Sequence, residues 1–231
     1  MRLILASSSK NRQELFNRVG WKYEIVKSQD EEQSNETDPS KYVIDLSKNK
    51  ANSVAKQIEE KAIIVAADTV MYIGSRIFEK PRDKAEAFEN LKIMSGKVVY
   101  VVTGTTIKDL YQNKDISFAD IAEVHLKELS DADISWYIEN EKNILKCCGF
   151  TIEGKAGAFI DKVVGDYNTI RGISVSKLYS QFKELGYAPS DFELVDWRNK
   201  HEIRFKKTII NDGFFLIVIK LYKIPETWTI Y

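Results

Sequence analysis

Residues 62–81 constrain the fold of this 231-residue chain more than any other stretch. Residues 63–67 (IIVAA) are all small or apolar, which is typical of a buried strand in an α/β sheet. Asp68 follows at the predicted carboxyl end of that strand, where α/β sheets bind their ligands. A short β pattern with a turn at Gly74 then returns the chain to Lys80. We therefore expect an anion and a cation that face one cleft.

Taken singly, these two charged residues have ordinary explanations. An aspartate that follows a buried strand often caps a turn, and a lysine that precedes a proline is usually solvated. A functional interpretation depends on Asp68 and Lys80 occurring together and on the other charged residues of the chain.

The composition is that of a globular protein, with 44% hydrophobic and 29% charged residues. The 34 basic residues equal the 34 acidic residues, so no net field attracts nucleic acid or a membrane surface. No apolar run reaches the roughly 18 residues of a spanning helix, and the amino terminus lacks a signal-peptide pattern. The only two cysteines, Cys147 and Cys148, are adjacent, which suits neither a disulfide nor a zinc site. We expect a cytoplasmic protein.

The amino terminus predicts a strand at residues 2–6 that leads through three serines into a helix at residues 10–19. Ser9 is in the N-cap position, and Gly20 ends the helix. Backbone N–H groups and hydroxyls at such a helix start can hold an anion or the edge of a base. Capping alone explains at least one of these serines.

An Asp-Pro pair begins a second predicted helix over residues 38–60. Leu46, Val54 and Ile58 lie on one apolar face, and Lys50 occupies the same stripe. The lysine either snorkels to solvent or meets a partner, because an unpaired buried ammonium costs several kcal/mol. A bound phosphate would serve as that partner.

Two β-rich stretches, residues 97–110 and 116–126, flank a polar turn and predict a long hairpin. Because a hairpin interrupts the β/α alternation, the sheet is expected to be mixed rather than purely parallel. Thr103 and Gly104 within the first stretch are interpreted as packing and turn residues.

Several of these segments resemble motifs of the Maf (septum formation inhibitor) family of nucleotide pyrophosphatases. AADTV and the later KP dipeptide resemble the central signature of the family. LASSSKNRQELF resembles LAS-x-S-P-R-R-x-E-L-L, and LSKNKA resembles L-A-x-x-K-A. The segment KCCGFTIEGKAGAFIDKVVGDYNTIRGIS resembles the K-A-G-x-Y-x-I-Q-G and G-x-Y-x-x-x-G-L-P runs. The resemblance covers residues 1–187, which are the predicted catalytic domain.

The chain also departs from these motifs. The replacements are Lys10 and Asn11 for Pro and Arg, Cys147 and Cys148 for small residues, and Ile173-Ser174 for Leu-Pro.

By this resemblance, the fold is a mixed α/β sheet in two lobes with a central cleft, similar to the inosine-triphosphatase-like fold, and the protein is a homodimer. The implied reaction is hydrolysis between the α- and β-phosphates of a nucleoside triphosphate, which gives a monophosphate and pyrophosphate. The family removes nonstandard or surplus nucleotides, and its members are linked to cell-division arrest.

The resemblance also assigns roles to individual residues. The implied catalytic residues are Asp68, Glu31 and Lys80, with Glu31 and Asp68 as metal ligands. The implied substrate-binding residues are Ser7, Ser9, Arg12, Lys50 and Glu153. Glu31 lies in an acid-rich stretch, SQDEEQSNETDPS, which would be a solvated loop in most proteins. Which carboxylate is the general base stays open.

Carboxylates without a cysteine or histidine cluster favour a hard cation with oxygen ligands. We expect Mg²⁺, with Mn²⁺ or Co²⁺ as alternatives, and the triphosphate supplies the remaining ligands. The cation and the basic side chains would neutralise charge on the phosphates.

The preferred base stays open, because two features point in different directions. The AADTV motif resembles the pyrimidine-preferring branch of the family. Glu153 stands where many members have Gln, and a carboxylate, which only accepts hydrogen bonds, suits the N–H donors and the positive charge of a 7-methylguanine.

Two other functions are considered. A nucleotide-binding cell-division regulator with little turnover would explain the motif departures, but it need not keep every charged group. A nucleic-acid-binding domain is disfavoured by the zero net charge and the absence of a basic stripe. The chain also lacks the usual glycine-rich phosphate loops and the G-x-S-x-G motif.

Residues 188–231 lie outside the resemblance and are predicted to be an extension with a β-hairpin around an Asn-Asp-Gly turn. Its role stays open.

Overall fold

The computed structural model describes residues 1–30, 33–192, 206–209 and 215–218. Contacts between residues divide the chain into two compact units, Met1–Phe192 and Glu193–Tyr231. Glu31 and Glu32 lie outside the described residues, as does the predicted Asn-Asp-Gly turn.

The first unit is built on one mixed sheet. Its strands are β1 (Leu3–Leu5), β2 (Glu24–Ile25), β3 (Ile63–Ile73), β4 (Arg76–Phe78), β5 (Val98–Asp109), β6 (Lys114–Leu126) and β7 (Ile160–Val164). The order is β2-β1-β3-β5-β6-β7, with β4 paired to β3. β1 is parallel to β2 and β3, whereas the later pairs are antiparallel. The expected mixed sheet and the long β5–β6 hairpin are confirmed.

Helices cover this sheet and begin where capping residues predict. They are α1 (Lys10–Arg18), α2 (Pro39–Ala55), α3 (Lys84–Met94), α4 (Asp131–Asn140), α5 (Tyr167–Ile170) and α6 (Val175–Glu184). Asp38 accepts from the Lys41 N–H at the start of α2, and Ser130 forms a reciprocal capping box with Asp133.

α2 ends about one turn before the predicted position near residue 60. The Gln57 side-chain amide donates to the carbonyls of Lys27 and Ser53, at 3.1 Å each. These bonds tie the chain to the segment after β2, so it turns instead of continuing as a helix.

The expectation that a strand ends at Asp68 is wrong. β3 runs for 11 residues through this position, and Asp68 lies opposite Gly104 of β5. The reason is that β5 pairs with β3 continuously from Ile63 to Tyr72. On the other edge of β3, β1 pairs only with residues 63–65 and β4 only with residues 71–73. Residues 66–70 therefore face a gap between β1 and β4.

Four apolar clusters pack against the sheet, and the two largest, the two apolar cores, lie toward opposite ends of the long strands. One contains Leu5, Phe16, Val65, Ile107 and Phe182. The other contains Met71, Met94, Val101, Val124 and Tyr137. Between them, the strands carry the polar residues Asp68, Thr69 and Thr103. This polar band lies at the β3 gap.

α2 packs closely on the middle of the sheet because β5 has a glycine there. A Cβ atom at Gly104 would lie 2.4 Å from both the carbonyl carbon and the oxygen of Val43. Gly104 is thus a packing residue, as predicted, and it brings the buried face of α2 close to Asp68.

The first unit continues beyond the predicted boundary at residue 187. Phe192 is buried, with its ring centroid 4.7 Å from that of Phe182 and 6.3 Å from that of Trp21. In the second unit, β8 (Lys206–Ile209) pairs antiparallel with β9 (Phe215–Val218). Within the described parts of the chain, no helix is long and apolar enough to cross a membrane.

Candidate active site

The β3 gap holds a charged pair. The ammonium of Lys50, from α2, forms an ion pair with Oδ1 of Asp68 and lies 3.5 Å from the carbonyl oxygen of Ala67. The side chains are only 11% and 17% exposed. Lys50 therefore lies on the buried face of α2, as the stripe predicts, and it has a carboxylate of this chain as a partner.

Arg12 joins three parts of the chain beside this gap. Its Nε donates to the Gly172 carbonyl at 2.8 Å, its Nη1 to Ser7 Oγ at 3.2 Å, and its Nη2 to Thr69 Oγ1 at 3.0 Å. The Arg12 side chain is buried. Ser7, Arg12 and Thr69 thus form one hydrogen-bonded group next to Asp68.

Ser9 is in the N-cap position of α1, but its side chain makes no capping hydrogen bond. Its backbone N–H donates to Ser7 Oγ at 3.2 Å instead. The expected capping role of the Ser9 hydroxyl is therefore wrong.

A chain of hydroxyls continues from Thr69 through the polar band. Thr69 Oγ1 and Thr103 Oγ1 are 2.8 Å apart, and Thr103 Oγ1 is 2.8 Å from the Thr169 carbonyl oxygen. The Thr169 hydroxyl then donates to Asp120, which also pairs with Lys177. Thr103 is thus a bonding residue rather than only a packing residue. A buried threonine directly after the run VVYVV of β5 is the sequence signal for this role.

Lys80 follows β4 and is exposed, and its charge affects a thiol in the β3 gap. The thiol of Cys148 lies 3.8 Å from the Thr69 carbonyl oxygen in the β3 gap. The pKa of Cys148 is raised to about 12, with burial as the largest cause; the charges of Cys147, Asp68 and Glu79 also raise it, and that of Lys80 lowers it. Asp68 and Lys80 are therefore both close enough to the Cys148 thiol to affect it.

Tyr42 of α2 connects the helix to the segment before Lys80. Its hydroxyl donates to Glu79 Oε1 at 2.9 Å. Burial raises the Tyr42 pKa to about 12, and Glu79 and Asp68 contribute to the shift. This contact restrains the backbone next to Lys80, and sequence reasoning missed it.

Glu153 pairs with an arginine that sequence reasoning also missed. The side chain of Arg171 is 0% exposed, and its Nε lies 2.8 Å from Glu153 Oε1. Its Nη2 donates to Glu14 Oε2 of α1 at 2.6 Å. Within the described residues, Nε and Nη1 have no aligned hydrogen-bond partner. The position of Arg171 between apolar residues, in the stretch TIRGIS, is the signal that it is buried.

Two surface grooves, of about 670 and 630 Å³, lie away from these residues. The first runs along α3 and α4, and the second along α2 beside Lys108. No predicted site residue lines either groove in the described parts of the chain. The candidate site is thus the charged group at the β3 gap rather than either groove.

A family model, described as Maf-like protein, matches residues 2–185. The chain belongs to the Maf family. A dTTP/UTP pyrophosphatase of Thermoanaerobacter sp. (strain X514) is 39% identical over 183 residues, which are 79% of this chain and 96% of that protein. A dTTP/UTP pyrophosphatase of Carboxydothermus hydrogenoformans is 35% identical over 187 residues, which are 81% of this chain and 100% of that protein.

Solved structures of two Ham1 proteins are more distant. The Staphylococcus aureus protein has 10% identity and a TM-score of 0.39, over 55% of this chain and 73% of that one. The Coxiella burnetii protein has 12% identity and the same TM-score and coverage. This similarity is too low to bear on the fold.

The departures from the Maf motifs are accommodated locally. Ser174, in place of proline, begins α6, where its Oγ accepts from the Lys177 N–H at 3.3 Å and donates to Asp166 Oδ2 at 2.6 Å. Ile173 is fully buried in the position of leucine. Cys148 fills part of the β3 gap. These replacements preserve the helix start and the packing around the Maf site.

The described residues contain one carboxylate at the gap that suits a metal. Asp68 contacts the Lys50 ammonium through Oδ1, and its carboxylate offers hard oxygen ligands at the β3 gap. Within the described residues, no group of three His, Cys, Asp or Glu side chains converges at the gap or elsewhere. A divalent cation held by one or two carboxylates and by substrate phosphates fits this arrangement.

Proposed function

We propose that this Maf protein hydrolyses the bond between the α- and β-phosphates of nucleoside triphosphates, with dTTP and UTP as substrates. The observation that carries the proposal is the Asp68–Lys50 pair in the β3 gap, with Arg12 held beside it. The relatives named dTTP/UTP pyrophosphatases support it.

The site can supply a base and several cations. Asp68, with one oxygen held by Lys50, would either hold the cation or orient the attacking water and accept its proton. Lys80 is exposed and can reach a phosphate without first breaking a buried contact. Arg12 already donates through all three of its nitrogens, so it would shape the site and hold Ser7 rather than move toward substrate.

A divalent cation, Mg²⁺ or alternatively Mn²⁺ or Co²⁺, belongs to the proposal. Asp68 would hold it, together with the substrate phosphates and Glu31, which lies outside the described residues. When bound, such a cation neutralises charge that develops on the phosphates. Asp68 serves as a ligand or as the base, and the general base is not assigned between Asp68 and Glu31.

The remaining properties are also proposals. A homodimer and a cytoplasmic location, without nucleic-acid or membrane partners, follow from the family resemblance and the composition given above.

Pyrophosphate release from dTTP, UTP and 7-methyl-GTP with Mg²⁺ tests the proposal. Asp68→Asn should lower kcat/KM for UTP on the order of a hundredfold or more, because it removes the base or metal ligand while keeping the shape. Asp131→Asn, at an exposed ion pair between α3 and α4, is the matched control and should behave as wild type. UTP binding without release would favour the cell-division regulator, and unchanged release by Asp68→Asn would reject the site.

A further inference from the structure

Arg171 carries a charge that the reaction described above does not use. Its side chain has no exposed surface, and it lies between carboxylates from two different segments, Glu14 of α1 and Glu153 of the loop before β7. Burying a guanidinium is costly unless its charge is compensated. Here two nitrogens also lack aligned hydrogen-bond partners in the described structure, so the side chain is not optimised for stability alone.

Arg171 is directly connected to the candidate site. The next residue, Gly172, accepts a hydrogen bond from Arg12 Nε, and Arg12 and Glu14 both belong to α1. A Cβ atom at Gly172 would lie 3.0 Å from Arg12 Nε, so backbone and guanidinium are closely packed there. A change at Arg171 is therefore transmitted only a short distance to the nucleotide cleft.

Two arginines lie close to the carboxylates of Glu153 and Glu14. Glu153 pairs with Arg171, and Glu14 lies between Arg171 and Arg18, with the Arg18 contact at 3.9 Å. The pKa of the Tyr167 phenol responds to the same side chains. Burial is the largest cause that raises this pKa; Glu153 also raises it, and Arg171 and Arg18 lower it. Arg171 and Arg18 thus oppose the charges of Glu153 and Glu14, and the Glu153 carboxylate has a cation of this chain beside it.

We propose that Arg171 is a specificity-determining residue, which cancels the charge of Glu153 so that the base subsite accepts neutral bases rather than a cationic N7-methylated purine. This inference rests on the proposed function. Glu153 is 35% exposed and its Oε1 faces Arg171, so its other oxygen can still accept an N–H from a base. The N3–H of uracil or thymine meets that need without a positive charge.

The Glu153 carboxylate without Arg171 beside it would favour a different base. Without Arg171, the charge of Glu153 would attract the positive ring of 7-methylguanine over the neutral ring of guanine. Arg171 acts through Glu153 rather than on the substrate, so it is a positioning residue. The effect of Arg171 is therefore measured as the relative affinity for two ligands that differ in charge.

Inhibition of UTP hydrolysis by 7-methyl-GMP and by GMP measures this choice, because the two differ by one methyl group and its charge. Arg171→Met should shift the ratio of their inhibition constants about tenfold toward 7-methyl-GMP. Arg171→Lys, which keeps the charge, should largely restore the wild-type ratio. Lys92→Met, at an exposed ion pair of α3, is the control and should leave the ratio unchanged.

Glu153→Gln keeps the test decisive if Arg171→Met does not fold. That variant leaves Arg171 without its partner at Glu153, so the ratio should shift about tenfold in the opposite direction, toward GMP. A ratio that is unchanged in Glu153→Gln, or in folded Arg171→Met, overturns the inference while UTP hydrolysis still supports the proposed function. Absence of UTP hydrolysis by the wild type would overturn both.

Discussion

At the scale of single residues, the candidate site depends on charges that are almost withdrawn from water. Lys50 and Asp68 are 11% and 17% exposed, and each would carry an uncompensated charge if the other were removed. The same reasoning applies to the fully buried Arg171 guanidinium, whose partners Glu14 and Glu153 are 56% and 35% exposed. In both groups, pairing keeps charged side chains inside the cleft.

A double-mutant cycle measures the coupling between Lys50 and Asp68. Lys50→Met should lower the free energy of unfolding by roughly 2–4 kcal/mol, because the carboxylate loses its ammonium in a mostly buried position. Adding Asp68→Asn should recover part of that loss, which gives a coupling energy of about 1 kcal/mol or more. Urea unfolding of the four proteins provides the values.

The exposed pair between Lys92 and Asp131 is the control for this cycle. Its side chains are 53% and 68% exposed, so solvent screens their attraction and the coupling should be smaller. Equal coupling in the two pairs would show that burial contributes nothing at Asp68.

At the scale of secondary-structure elements, the site exists because α2 and β5 approach closely and because β3 has a gap on its other edge. Gly104 lets the backbone of α2 at Val43 contact β5, and Lys50 lies two turns further along the same helix. The gap leaves the Ala67 and Thr69 carbonyls facing Lys50 and Cys148. Helix position and strand pairing together bring Lys50 to Asp68.

Gly104→Ala should separate α2 from the sheet. Its Cβ would lie 2.4 Å from the Val43 carbonyl, which only a backbone shift can relieve, so we expect a loss of about 2–3 kcal/mol in unfolding free energy. Pyrophosphatase activity should fall as well, because α2 carries Lys50.

Gly157→Ala provides the matched control for this substitution. The nearest atom to its added Cβ would be the Ile152 oxygen at 3.6 Å, an ordinary contact, and the residue does not have a positive φ. Thermal unfolding and UTP hydrolysis should be close to wild type. If the two alanine variants behaved alike, the contact at Val43 would not explain the position of α2.

At the scale of the whole first unit, the two apolar cores and the polar band bury several groups that ionise in alkali. Tyr42, Tyr137, Cys148 and Tyr187 each have a pKa raised to about 12, and burial is the largest cause in every case. Their ordinary values are 10.0 for tyrosine and 9.0 for cysteine. The unfolded chain therefore releases these protons before the folded one does.

Stability should consequently decline in alkali. The contribution of these groups is fully present below pH 9 and is lost as pH rises toward 12, because the unfolded state then binds fewer protons. Each group that is ionised only in the unfolded state contributes a slope of about 1.4 kcal/mol per pH unit. Urea unfolding at increasing pH should show this decline.

Tyr137→Phe isolates one of these groups. The variant loses the hydrogen bond from the Thr151 N–H at every pH, but its unfolding free energy should fall less steeply than that of wild type above pH 10. Parallel slopes for the two proteins would mean that the Tyr137 phenol ionises equally in both states.

Local patterns in the sequence predicted much of the fold. The Asp-Pro pair at residue 38 placed the start of α2, and the two β-rich stretches around the polar turn placed the β5–β6 hairpin. The stripe on α2 indicated that Lys50 is buried. These features depend on residues within one or two turns of each other, so they can be read directly from the chain.

The path of β3 through Asp68 could not be read in the same way. An aspartate after an apolar run resembles the end of a strand, and only pairing with Gly104 of β5 shows that the strand continues. The roles of Thr103 and Arg171 were missed for the same reason. The roles of Glu31, which lies outside the described residues, and of the extension after residue 187 stay predictions.

The sequence by itself determined the mixed α/β class, the order of the elements, the family and the charged residues available for chemistry, because periodicity, capping and motif spacing are local. Only the tertiary structure determined which charged side chains form ion pairs. Lys50 and Asp68 are 18 residues apart, and Arg171 and Glu14 are 157 apart. Such pairs form only when helices pack on the sheet and exclude water, and that packing depends on the whole chain at once.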